Sequence, residues 1–170
     1  MWLVLDLETT GLDPNRDAIL ECAFIAVDAQ TRRASFLVNQ LPRPMMVPFV
    51  QNMHVRNGLL DDLMVKPALG SSAELDVALV RSFPEAKPRS IHLVGNSIHF
   101  DRAFLNVHCP AFSTLLHHRM VDVTTLLLVA NRVGLEVPPA DPTKGVPHRA
   151  MDDCVSSLFQ LHHYLSVLDK

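Results

Sequence analysis

The sequence predicts an α/β fold in which a mixed five-stranded sheet carries helices on both faces, in a single domain over residues 1–170. Two features of its order point there. Three strand-like runs come first, joined by short turns, which reads as an antiparallel meander. Strands then alternate with helical runs, the pattern of a sheet covered on both sides.

Residues 2–7 are short and apolar, as a buried strand is, and Gly11, Asp13 and Pro14 make a turn after them. Residues 19–28 read as the second strand and 35–40 as the third. Three prolines make 41–48 a loop. A cap signal at Ser71, then Ala, Leu, Val, Leu and Val at helical spacing, predicts a helix over 71–82, ended by Pro84 and Pro88. Residues 90–94 are a short apolar strand, and Gly95, Asn96 and Ser97 turn into a helix over 101–107. A strand at 120–123 leads into a helix at 124–133, stopped by Gly134. Four prolines and a glycine make 137–147 a loop. The last helix covers 149–168, with Val155, Leu158, Leu161, Leu165 and Leu168 as its apolar stripe.

Composition narrows the function. Net charge is −3 with a pI near 6.3, and only 6% of residues are aromatic, Trp2 being the one tryptophan. A protein that grips long polynucleotides neutralises many phosphates with a basic stripe and stacks bases on aromatic rings. This balance favours a ligand with few phosphates, or one held through metal ions. Cys22, Cys109 and Cys154 are scattered and odd in number, which argues against a disulfide framework or a cysteine zinc site. The opening MWLVLDLE has no basic segment before its apolar run, and no apolar run reaches the ~18 residues of a membrane span. The expectation is a cytoplasmic protein.

Acidic residues carry the chemistry. Asp6 and Glu8 stand two apart on a predicted strand, so both side chains lie on one face. Two like charges entering a partly buried region require a cation or a proton, and carboxylate oxygens suit Mg²⁺ or Mn²⁺. Asp101 follows a strand, where open α/β sheets place ligands. Near the start of the last helix, regular spacing pairs His148 with Asp152 rather than Asp153. Pro147 puts His148 at or before the helix start, where that spacing does not apply, so both acids stay open.

Together these segments resemble the DEDDh exonucleases, and within them the oligoribonuclease family. The first carries D-L-E-T-T-G-L-D-P at residues 6–14, followed by Asp17 and the I-L-E ending in Glu21. The second is G-N-S-I-H-F-D-R-A-F-L at 95–105, and the third H-R-A-M-D-D at 148–153. H-V-R-N-G-L at 54–59 and H-H-R-M-V-D-V-T at 117–124 are closer to oligoribonucleases than to the wider superfamily.

The resemblance implies a ribonuclease H-like fold and a two-metal phosphodiester hydrolysis from the 3′ end of short oligonucleotides, dinucleotide-sized RNA preferred. It implies Asp6, Glu8, Asp101 and Asp153 as acids for two divalent cations, Mg²⁺ or Mn²⁺, and His148 as general base. Leu12 matches a residue that wedges between bases. Phe49 matches a base-stacking aromatic, often Trp in the family. His54, Ser97 and Arg119 match contacts to a 5′-terminal phosphate. The family's H-Y-R triplet is here His117, His118 and Arg119. His118 thus replaces a tyrosine usually supplied by the partner subunit of a homodimer, which bears on RNA against DNA preference. The other histidines, His99, His108, His117, His162 and His163, read as surface. An exonuclease acting on short DNA is the rival enzyme. A silent nucleic-acid binding module is disfavoured by the full set of catalytic residue types, and a histidine zinc protein by the lack of ligand spacing.

Overall fold

The computed structural model describes residues 1–138 and 149–169. Strands β1 (Trp2–Thr9), β2 (Ile19–Ala26) and β3 (Ala29–Leu37) form an antiparallel meander. Helices α1 (Pro48–Arg56), α2 (Leu59–Val65) and α3 (Ser72–Ser82) follow. Strand β4 (His92–Gly95) returns parallel to β1, and β5 (Val121–Asp122) parallel to β4. Between them lie α4 (His99–His108) and α5 (Pro110–Ser113). Helices α6 (Val123–Val133) and α7 (Ala150–Leu168) complete the described chain. The strand order is β3-β2-β1-β4-β5, the mixed five-stranded sheet expected from sequence.

Strand alternation sorts side chains between two cores. Leu3, Leu5 and Leu7 of β1 pack with Leu75, Leu79, Phe104, Leu105 and Phe112 from α3, α4 and α5. Val4 belongs to the other face, with Ala23, Ile25 and Val94, beneath Val123 and Ala130 of α6 and Cys154, Leu158 and Leu161 of α7. Asp6 and Glu8 share the parity of Val4, so β1 presents them on the side that α7 covers. β2 is covered on both faces, and all eight of its residues are buried.

Two expectations change. The third strand runs from Ala29 to Leu37, not 35–40. It is the sheet's outer strand, and Thr31, Arg32 and Arg33 give it the polar character that guards an edge and hides a strand from hydropathy. Residues 48–65, given no element from sequence, form α1 and α2. α1 has Pro48 in its first turn and an exposed Phe49, so its apolar stripe is weak; α2 is only seven residues long, with Leu59 and Leu63 packed on Leu20.

Gly95 ends β4 hard against β1. A Cβ there would lie 3.0 Å from the Leu5 carbonyl oxygen and 2.9 Å from Ile98 Cδ1, so the turn into α4 needs a glycine. α6 is capped by Asp122, whose Oδ1 accepts from the Thr124 and Thr125 amides at 2.9 and 3.3 Å. All three cysteines are buried free thiols. Among the described residues, no helix is long and apolar enough to cross a membrane.

Candidate active site

Asp6 and Glu8 leave the same face of β1, and Asp153 descends on them from the first turn of α7. One oxygen of each lies within 4.8 Å of the other two. Among the described residues this is the one group of acids, histidines or cysteines so arranged. Met53, Asn96 and Ser157 line the same cleft, and Asn96 Nδ2 donates to Ser157 Oγ at 3.0 Å, tying the β4–α4 turn to α7. Asp152, the alternative on helical spacing, is exposed.

Asp101 sits in the first turn of α4 and is buried. Its Oδ1 accepts from the Leu7 amide at 2.9 Å, between Asp6 and Glu8 in the chain. Burial pushes the Asp101 carboxyl up to about 7 against the backbone hydrogen bonds that lower it. Burial, with repulsion from Asp153 and Glu21, pushes Glu8 up to about 8. Asp6 is raised well above the usual carboxylate range by burial and by the charges of Asp101, Glu8 and Asp153. Such a cluster carries more negative charge than its surroundings relieve, and hard oxygen donors at this spacing fit a divalent cation.

Glu8 stands directly across from Glu21 of β2, with an irregularity in the pairing just beyond. Like charges so placed repel. Arg149 absorbs the second one: its Nε and Nη2 donate to Glu21 at 2.9 and 3.0 Å, and its Nη1 donates to Asp62 of α2 at 2.8 Å. Glu21 Oε2 also accepts from the Ala150 amide at 3.2 Å, which serves the start of α7 in place of a side-chain cap. The clamp fixes the helix end from which Asp153 projects. Glu21 and Arg149 both stand in the motifs read from sequence, but their pairing across 128 positions had no sequence signal.

Leu12 and Phe49 are exposed and line one cavity with Met45 and Val47. The loop bearing Leu12 is held by Asp17, which accepts from Thr10 Oγ1 at 3.1 Å and from the Asp13 amide at 2.9 Å. His54 is fully buried. Its Nε2 lies 2.8 Å from the Thr9 carbonyl and therefore carries the proton, while Nδ1 faces Glu8 Oε2 at 3.8 Å. Burial lowers its pKa and keeps the ring neutral. Ser97 is exposed at φ 50°, its amide 3.2 Å from Asp122 Oδ1 and from Thr124 Oγ1. Arg119 is exposed. His118 is also exposed and stacks on His117, which stacks on His92, each at 4.2 Å between centroids. His92 pairs with Trp2, four residues before Asp6, so this column stands at the far end of the strands from the acids. The structure thus gathers Asp6, Glu8 and Asp153 and sets Leu12 beside Phe49, while His54 is buried and Ser97, His118 and Arg119 are exposed. His108, His117 and His163 are half-buried rather than surface. His148 lies outside the described residues.

A family model described as exonuclease matches residues 3–159. The oligoribonuclease of Corynebacterium diphtheriae is 34% identical over 167 residues, covering 94% of this chain and 79% of its own. That of Azoarcus sp. (strain BH72) is 35% identical, covering 94% and 90%. The chain belongs to the oligoribonuclease family of exonucleases. Among solved structures, exonuclease I of Methylocaldum szegediense superposes with a TM-score of 0.65 at 17% identity, over 92% of this chain and 38% of that one. A product-bound exonuclease I gives 0.66 at 16% identity, over 99% and 44%. The chain spans about two fifths of exonuclease I, and the likeness is one of fold, the ribonuclease H-like sheet. For this oligoribonuclease-family exonuclease, the Asp6–Glu8–Asp153 cluster supports dependence on a divalent metal.

Proposed function

We propose that this protein hydrolyses short oligonucleotides from the 3′ end, dinucleotide-sized RNA preferred, and releases 5′-mononucleotides. The convergence of Asp6, Glu8 and Asp153 within 4.8 Å carries the reading. Asp6, Glu8 and Asp153 would hold one divalent cation, Mg²⁺ or Mn²⁺, and Asp6 with Asp101 a second. Bound there, the ions would supply Lewis acidity and an activated water for in-line phosphodiester cleavage.

The chain's own residues do the rest. Asp101, its Oδ1 held by the Leu7 amide, would serve the second ion directly or through water. Leu12 and Phe49 present adjacent apolar surface on which bases of a two-residue ligand stack. Ser97 and Arg119 are the donors available to its 5′-phosphate. His148, by the family pattern, takes the proton of the attacking water, a role that suits a neutral imidazole. His118 would reach a substrate only from a partner subunit, since it stands at the opposite strand end from its own acids.

The test is a time course on 5′-labelled RNA and DNA of two and seven nucleotides with Mg²⁺ or Mn²⁺. Wild type should clear the RNA dinucleotide fastest, and Asp6→Ala should be inactive with an unchanged circular dichroism spectrum. Near-normal rates in Asp6→Ala would sink the metal assignment; DNA cleaved as well as RNA would keep the chemistry and overturn the sugar preference.

A further inference from the structure

Helix α4 is fastened at both ends to β1 or to the loop that follows it. In its first turn, Asp101 accepts from the Leu7 amide of β1 at 2.9 Å. At its last residue, His108 Nε2 lies 2.9 Å from the Pro14 carbonyl, 94 positions earlier in the chain. A carbonyl only accepts, so Nε2 carries the proton and donates. The imidazole is backed by Phe104, one turn earlier and fully buried, with ring centroids 5.7 Å apart and planes at 14°. A histidine that closes a helix complements the macrodipole whatever it touches. This one also reaches out of its helix to the loop that displays Leu12. That loop is otherwise held from within: Thr9 Oγ1 donates to the Gly11 carbonyl, and Asp17 accepts from Thr10 Oγ1 and the Asp13 amide. Among the described residues, His108 makes the one hydrogen bond that joins residues 11–17 to an element other than the strands they connect.

We propose that His108 is a positioning residue for substrate grip: through Pro14 it sets the pose of the loop that offers Leu12 to a base, in the cavity Leu12 shares with Phe49. The inference rests on the reading of Leu12 as a base contact and gives that contact a support on a different element. Asp101 and His108 stand at the two ends of α4, about 10 Å apart along its axis. One helix thus indexes the surface that grips bases against an acid of the metal site. His108 itself touches neither, so its loss should loosen binding while leaving the acids as they are. Binding shared by ground state and transition state is lost as a higher KM at unchanged kcat.

The experiment compares the full chain with its His108→Phe and His108→Gln variants in steady-state cleavage of an RNA dinucleotide with Mn²⁺. Phenylalanine keeps a ring on Phe104 and removes the donor; the glutamine amide returns a donor near the place of Nε2. His108→Phe should raise KM about fivefold at unchanged kcat, the loss of one hydrogen bond, and His108→Gln should restore it. In a Leu12→Ala background, His108→Phe should change KM no further, because the contact it supports is already gone. Amide hydrogen exchange over residues 11–17, measured without substrate, should quicken about fivefold in His108→Phe and recover in His108→Gln. That arm needs no turnover: a wild type inactive on the dinucleotide would refute the hydrolytic reading, and the exchange rates would still decide whether His108 holds the loop. Equal exchange in all three proteins, an unchanged KM in His108→Phe, or costs that add in the Leu12→Ala background would each overturn the proposal.

Discussion

At the scale of single residues, the acids of the cleft set their own pH response. Glu8 and Asp101 titrate near 8 and 7 in the fold, against ordinary values of 4.5 and 3.8. The folded metal-free protein therefore binds more protons than the unfolded chain across that window. Its stability is greatest at the acidic end and falls as pH rises through the folded values. The melting temperature in EDTA should drop between pH 5.5 and about 8.5, and Mn²⁺ or Mg²⁺ should restore it at the alkaline end. A metal-free protein that gains stability over that interval would contradict the cluster's burial. Part of this site is visible in sequence: the spacing of Asp6 and Glu8 fixes their shared face. The choice of Asp153 over Asp152 is not, because it depends on how α7 starts, and that start is set by Glu21 accepting the Ala150 amide from a distant strand. Nor could spacing show that His54 is buried behind Glu8.

At the scale of elements, the Arg149 clamp joins β2, α2 and α7 through Glu21 and Asp62. Glu21 is buried, with Arg149 and Asp62 half-buried, so removing the cation leaves Glu21 uncompensated beside Glu8. Arg149→Ala should cost on the order of 3 kcal/mol in urea unfolding. Arg149→Lys should recover only part of that, since one ammonium cannot serve both carboxylates as a fork does. Loss below about 0.5 kcal/mol would mean the clamp is only a surface contact. Strands β1, β2 and β4 and helices α3, α6 and α7 are legible in sequence because their apolar periodicity survives intact. Strand β3 is misplaced for the opposite reason, since edge protection replaces its apolar residues with Arg32 and Arg33. Helices α1 and α2 escape because one exposes its largest side chain, Phe49, and the other is too short for its two buried leucines to define a period.

At the scale of the whole molecule, the acids and the His92–His117–His118 column occupy opposite ends of the parallel strands. If His118 serves substrate in the partner of a homodimer, each active site is a composite of two chains. Asp6→Ala and His118→Ala proteins, each impaired alone, should then regain dinucleotide cleavage when mixed, because the heterodimer holds one complete site. Sedimentation should show a dimer, and a mixture that exchanges subunits without regaining activity would place His118 outside the substrate's reach.

The buried thiols divide between the two layers. Cys22 and Cys109 belong to the core under α3, α4 and α5, whereas Cys154 belongs to the core under α7. Burial holds all three above the ordinary thiol range, with Cys109 at about 12, so the native chain offers almost no thiolate to an alkylating reagent. Each sulfur is thus a built-in clock for the layer that shields it. If Cys154 is alkylated before Cys22 and Cys109, the side of the sheet that carries Asp153 lifts first; simultaneous labelling means that the sheet parts from both layers in one cooperative step.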